Sequence, residues 1–199
     1  MAGKPVTVGV LALQGDVREH LQMLEVLGVS TRRVRSPEDL AQVDGLIIPG
    51  GESSVMDKLS RTFGIRAPLQ RAISDGLPVY GTCAGLIMLA RRILDGIEGQ
   101  LSLDAIDIDV RRNAFGSQVD SFEVDLDVPI IGTPVVHAVF IRAPIVERVG
   151  ERVTPLAALA DGRVVAVEQG HVVATSFHPE MTGDTRFHEY FIERVRRVA

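Results

Sequence analysis

The first half of this chain alternates strand-like and helix-like stretches, and that alternation leaves few folds open to it. Val6 to Leu13 is an apolar run suited to a buried strand. Gln14-Gly15-Asp16 ends it, with Asp16 placed to cap a helix. In that helix Val17, Leu21, Leu24 and Leu27 recur at three- and four-residue intervals until Gly28 stops the run. Ser30 to Val34 reads as a second strand. Ser36-Pro37-Glu38-Asp39 then starts a short helix, with Ser36 as cap and Pro37 at the first helical position. Gly45 to Pro49 is a third strand, apolar on both faces as a central parallel strand should be. Gly50-Gly51-Glu52-Ser53 leads into a helix over Val55 to Arg61, and another helix covers Ala67 to Asp75. A fourth strand runs through Leu77, Val79 and Tyr80, and an apolar helix covers Leu86 to Ala90. This order predicts a parallel sheet with helices on both faces, and such sheets bind ligands beyond the carboxyl ends of their strands. Gln14-Gly15, Gly50-Gly51 and Cys83 all fall at such ends.

After Gly99 the pattern turns to strands: Leu101 to Val110, Gln118 to Leu126, Val135 to Ile141, Thr154 to Ala160, Val164 to Glu168 and His171 to Phe177. Asp161-Gly162 and Gln169-Gly170 supply hairpin turns. No Pro/Ser-rich linker separates the halves, so these strands are expected to continue the sheet in antiparallel fashion within one domain over residues 1–199. A final amphipathic helix, Thr185 to Val198, places Phe187, Phe191, Ile192 and Val195 on one face. The expected class is α/β: a three-layer fold, its mostly parallel central sheet flanked by helices and extended by antiparallel strands.

Composition removes several alternatives. A net charge of −5 offers no electrostatic footprint for nucleic acid, and a single cysteine excludes an intrachain disulfide framework. No apolar run reaches the roughly 20 residues that span a bilayer. No signal peptide is evident at the amino terminus, so a cytoplasmic enzyme is expected. One cysteine and scattered histidines lack the spacing of a metal site. Arg91-Arg92 and Arg196-Arg197 read as solvated surface.

The single cysteine lies in Gly81-Thr82-Cys83-Ala84-Gly85, between the fourth strand and an apolar helix. A lone cysteine is most often a small buried apolar residue. Small residues on both sides, however, let the backbone turn sharply and hold a nucleophile in a strained position at a helix start, where the dipole favours thiolate. His178 ends an apolar strand and precedes Pro179, and Glu180 stands two residues on, within reach of the far ring nitrogen. Cysteine as nucleophile, histidine as base and carboxylate as orienter form a triad in the order Cys83, His178, Glu180. The amides of Gly51 and Ala84 are the natural donors to an oxyanion. Of the other histidines, His20 and His188 fall among charges on helices and read as solvated, while His137 and His171 sit near strand starts or turns.

Gly81 to Gly85 together with His178-Pro179-Glu180 resembles the class I, triad-type glutamine amidotransferase family. Five further stretches narrow the likeness: Leu13-Gln14-Gly15, Val17-Arg18-Glu19-His20, Pro49 to Ser53, Arg112-Asn113-Ala114-Phe115-Gly116 and Phe140 to Pro144. With these the whole chain is similar to the glutaminase subunits of pyridoxal 5′-phosphate synthase, departing from them at Ser117, where a basic residue is expected. The resemblance implies hydrolysis of L-glutamine to glutamate and ammonia, with no cofactor. It also implies a partner, a synthase subunit that receives the ammonia and builds pyridoxal 5′-phosphate from a pentose phosphate and a triose phosphate. It carries substrate contacts onto Gly51, Glu52, Ser53, Arg112, Ile141 and Arg142, where an arginine fork suits a carboxylate. Read from residues alone, Arg112 and Arg142 could equally be solvated surface. A glutaminase subunit for histidine or purine synthesis, a non-catalytic binding subunit, and a thiol peptidase or esterase are the competing readings.

Overall fold

The computed structural model describes residues 5–112 and 121–199. Asn113 to Gly116, Ser117 and the start of the strand expected from Gln118 lie outside the described residues. The first half runs β1 (Thr7–Leu11), α1 (Val17–Val26), β2 (Ser30–Val34), α2 (Pro37–Leu40), β3 (Gly45–Ile48), α3 (Ser53–Thr62), α4 (Arg66–Ser74), β4 (Val79–Thr82) and α5 (Ala84–Leu89). The second half runs β5 (Ala90–Ile93), β6 (Ile106–Arg111), β7 (Ser121–Leu126), β8 (Val136–Ile141), β9 (Ile145–Val149), β10 (Thr154–Ala158), β11 (Val164–Gln169), β12 (Val172–Thr175) and α6 (Arg186–Val198).

Ten strands form one sheet in the order β2-β1-β3-β4-β12-β11-β9-β6-β5, with β10 added beside β11. From β2 to β12 every pairing is parallel. Beyond β12 the pairings β12–β11, β11–β9 and β9–β6 are antiparallel, so the expected extension grows from the parallel core. The glycines of both expected hairpin turns have left-handed φ, +88° at Gly162 and +61° at Gly170. Side chains of β3 alternate between two cores. Leu46 and Ile48 pack with Met56, Leu69 and Leu89, whereas Ile47 packs with Tyr80, Phe187 and Phe191 from the opposite face.

Four local expectations change. The helix expected to reach Ala90 stops at Leu89, because Ala90-Arg91-Arg92-Ile93 is extended and pairs with β6. The strand expected from Leu101 begins only at Ile106. Before it, the backbone is held by other partners: the Leu103 amide donates to Met88 O (2.6 Å), and the Arg66 guanidinium binds the Ser102 carbonyl. β7 and β8 leave the main sheet and pair only with each other, burying Leu126, Val136, Ala138 and Phe140 against the α6 side of the core. β9, bounded by Pro144, lies between β6 and β11 and was not foreseen.

One register positions the site. β12 pairs with β4 as Val172↔Val79 through Thr175↔Thr82, and the Cys83 amide donates to Thr175 O at 2.8 Å. Two strands far apart in sequence thus end side by side, and the residues that follow them, Cys83 and Ser176 to His178, emerge at one edge.

Candidate active site

Cys83 is the N-cap of α5 with φ +47° and ψ −100°, a conformation that costs a non-glycine residue of order 1–3 kcal/mol. The small neighbours make it possible. A Cβ on Gly85 would stand 2.1 Å from Ile48 O, so only glycine lets α5 start this close to β3. The cysteine is 7% exposed, and its Sγ lies 3.9 Å from Ile141 O. The strained strand-to-helix turn expected from the sequence is present.

His178 is buried and donates from Nδ1 to Glu180 Oε1 at 2.8 Å, which leaves Nε2 for the cysteine. A single 3₁₀ turn, Pro179–Met181, brings Glu180 back under the ring. Burial by itself would depress the His178 pKa. The hydrogen bond with Cys83 and the Glu180 carboxylate overcome this and raise it to about 10. Burial would likewise raise Glu180, but the charges of His20 and His178 and the bond from His178 bring it down to about 2. Because burial also pushes His20 down, toward its neutral form, His178 is the charge that matters for Glu180. Asp16 Oδ2 stands 3.5 Å from His178 Nδ1, and its carboxyl is raised, mainly by burial. Asp16 does occupy the N-cap of α1, but its side chain makes no cap bond and faces the histidine instead.

The loop from Gly50 to Ser53 closes one side. Gln14 Oε1 accepts from the Glu52 amide (2.7 Å), and Gly50 O accepts from the Asp16 amide (3.1 Å), so this loop and the end of β1 are interlocked. Gly51 has φ +149°, and a Cβ there would stand 2.5 Å from Gln14 Oε1. Ala84 opens α5, so its amide belongs to a first turn with no acceptor inside the helix.

Gly51, Glu52, Ser53, Cys83, Ile87, Arg112, Ile141 and Arg142 line one cleft. All six expected substrate contacts therefore meet around Cys83. Arg112 is no surface residue: it is 13% exposed and donates to Glu52 Oε1 (3.1 Å) and Gln100 Oε1 (2.9 Å). Glu52 is held below its ordinary pKa. Burial opposes this, and the Ser54 hydroxyl and amide with Arg112 and Arg142 outweigh it. The Ser53 hydroxyl is committed, accepting from Gln100 Nε2 at 3.0 Å. Arg142 is exposed, with φ +44° at the end of β8. The cleft thus pairs one carboxylate with two guanidinium groups, which is complementary to the α-amino and α-carboxylate groups of an amino acid.

Two expectations about histidines fail. His20 and His188 are not solvated but fully buried, and Gln100 joins the site unannounced. Among the described residues, one cluster offers metal-ligating atoms: Asp16, His178 and Glu180, within 4.8 Å of one another. The His178 nitrogen in that cluster already donates to Glu180, so the two carboxylates act on the ring.

A buried thiol at a strand-to-helix turn, a histidine oriented by a carboxylate and an amino-acid-shaped cleft define a class: α/β proteins equipped for acyl transfer from an amide through a cysteine. The chain belongs to the SNO glutamine amidotransferase family, whose model matches residues 10–197. It is 66% identical over 195 residues to the pyridoxal 5′-phosphate synthase subunit PdxT of Leifsonia xyli subsp. xyli (strain CTCB07), covering 98% of each chain. It is 55% identical to the protein of the same name from Kineococcus radiotolerans, over the full length of both. A crystal structure of a glutamine amidotransferase superposes with a TM-score of 0.89 at 49% identity, covering 94% of this chain and 98% of that one. PurLQS from Thermotoga maritima shares the fold, with a TM-score of 0.67 at 18% identity, covering 96% of this chain and 98% of that one. No helix among the described residues is long and apolar enough to cross a membrane.

Arg112→Ala and Arg142→Ala should each raise KM for the amino-acid substrate about ten- to a hundredfold and leave kcat near the parent value. A contact equal in ground and transition states is expressed in KM, and a charge-assisted hydrogen bond contributes about 1.5–3 kcal/mol. Steady-state kinetics check this; a pure kcat effect in both variants would move the arginines from substrate binding to the chemistry.

Proposed function

We propose that this chain, as one cytoplasmic domain over residues 1–199, hydrolyses L-glutamine to L-glutamate and ammonia. The ammonia passes to the synthase subunit of pyridoxal 5′-phosphate synthase. The observation that carries the chemistry is the convergence of Cys83, His178 and Glu180 beside the Glu52–Arg112 pair; likeness to the PdxT subunits supports the destination of the ammonia. Arg112 and Arg142 hold the substrate carboxylate, and Glu52 with the backbone near Ile141 holds its ammonium. The Cys83 thiolate attacks the side-chain amide carbon, and the amides of Gly51 and Ala84 stabilise the oxyanion. The His178 imidazolium, steadied by Glu180, protonates the departing ammonia. The neutral ring then takes a proton from water, which attacks the thioester and releases glutamate.

Gly51 gives this site a means of control. A glycine peptide takes either orientation at little steric cost, and turning its amide away removes an oxyanion donor, at about 2.7–4 kcal/mol in the barrier. Because Gln14 grips the Glu52 amide beside it, contact at the end of β1 is coupled to this loop. The isolated chain is therefore expected to be a poor glutaminase, switched on by the synthase subunit. Ammonia release at saturating glutamine, with and without that subunit, tests this: a rise of about a hundredfold or more is expected, and equal kcat values would contradict it. Gly51→Ala is a blunt probe here, since in this conformation its methyl group would stand 2.5 Å from Gln14 Oε1.

A further inference from the structure

A pair of histidines is buried beside Cys83, His178 and Glu180. His20 on α1 and His188 on α6 are both fully buried, and their Nδ1 and Nε2 atoms, respectively, lie 2.9 Å apart. His20 Nε2 stands 3.1 Å from Thr82 Oγ1 and 3.5 Å from Glu180 Oε1, the same oxygen that accepts from His178. Among the described residues, neither His188 Nδ1 nor Glu180 Oε2 has a hydrogen-bond partner.

These contacts fix where the protons sit. Burial pushes both rings down, His188 to about 3, so each is neutral at physiological pH and carries one N–H. The bond between the rings needs one donor and one acceptor. If His20 donated from Nδ1, the His188 proton would sit on Nδ1, a buried N–H with no acceptor, and the bare Nε2 of His20 would face the Glu180 carboxylate. If His188 donates from Nε2, only a lone pair is left unpartnered, and His20 carries its proton on Nε2, toward Thr82 and Glu180. Buried orphan N–H groups are the rarer and costlier defect, so the second arrangement holds.

We propose that His20, set in its Nε2–H tautomer by His188, is a positioning residue for the triad, holding Glu180 Oε1 on His178 Nδ1. With Oε2 unpartnered among the described residues, His178 and His20 are the side chains that fix the carboxylate's rotation, beside a bond from the Glu180 backbone amide and against the nearby negative charge of Asp16. The 3.5 Å separation leaves room for the contact to tighten when substrate is bound. The inference rests on the glutaminase reading for its consequence and on this geometry alone for its cause.

Two variants separate positioning from packing. His20→Gln places an amide N–H near the Nε2 position, whereas His20→Met fills similar space without a donor. Each is measured in complex with the synthase subunit for kcat and KM. Each is also measured alone for the pH dependence of Cys83 alkylation by iodoacetamide, which reports the thiolate and needs no glutamine; Cys83 is the only cysteine in the sequence. His20→Met should lower kcat about a hundredfold, with KM unchanged within about threefold, and should shift the acid limb of alkylation to higher pH. His20→Gln should recover most of both. Equal behaviour of the two variants, or an alkylation profile unmoved in His20→Met, would overturn the proposal. If circular dichroism shows both to be unfolded, His188→Gln against His188→Met decides by the same two readouts. A parent protein that alkylates as expected but releases no ammonia from glutamine would refute the glutaminase reading and leave the positioning role standing.

Discussion

Cys83→Ala is expected to lower glutamine hydrolysis by several orders of magnitude while leaving the fold and the binding of the synthase subunit intact. Nucleophile and base act as a unit, so removing one leaves only what the oxyanion donors and substrate binding provide. The fold should tolerate the change because little rests on the sulfur. Its polar contacts are Ile141 O at 3.9 Å and the bond with His178, and the backbone at φ +47° is equally awkward for both residues. Ammonia release and a thermal melt are the measurements. Activity within tenfold of the parent would remove Cys83 from the mechanism.

His178→Asn should be nearly as damaging. The asparagine keeps a polar group near Nδ1 for Glu180 but has nothing at Nε2 to take the proton from Cys83 or pass one to ammonia. Glu180→Gln should retain more activity than His178→Asn, because an amide oxygen still accepts from Nδ1 while losing the charge that stabilises the imidazolium. His171 serves as the control. It sits at the opposite end of β12, where its Nε2 is hydrogen-bonded to Ile73 O at 2.8 Å, remote from the cleft. Equal tolerance of substitution at His171 and His178 would sink the assignment of the base.

Much of the parallel core was legible because its signals are local. Ser30 to Val34 and the capped Ser36-Pro37 helix start are where the residues place them, and the Ser36 hydroxyl accepts from the Asp39 amide at 3.3 Å. The meeting of Cys83, His178 and Glu180 was legible for the same reason: glycines around Cys83 and the short path from His178 to Glu180 are features of spacing. What escaped depends on contacts between distant segments. Nothing within Ala90 to Ile93 says that it will leave a helix to pair with β6, and β7–β8 looks like any other hairpin until the core above α6 is known. Arg112 meets Glu52, and Gln100 meets Arg112 and Ser53, only once the chain has folded back across the cleft.

The histidines are a different kind of miss, since a signal existed. His20 lies three residues after Val17 and four before Leu24, on the helix face that packs inward, and His188 lies three and four residues before Phe191 and Ile192. Charged neighbours drew the reading toward solvent, when the period of the helix placed both rings in the core. Asp16 was similarly read as a helix cap from its position. Its carboxylate makes no cap bond and lies 3.5 Å from His178 Nδ1, a placement set by the end of β12, which arrives from far along the chain.

The most direct measurement is labelling by an electrophilic glutamine analogue in which a diazoketone replaces the side-chain amide. Incubated with the complex and followed by peptide mass spectrometry, it should modify Cys83 at one equivalent per chain, in proportion to the loss of ammonia release, and excess glutamine should protect. Complete labelling of Cys83 with glutamine hydrolysis undiminished, or complete inactivation with the label on another residue, would contradict a mechanism that passes through this thiol.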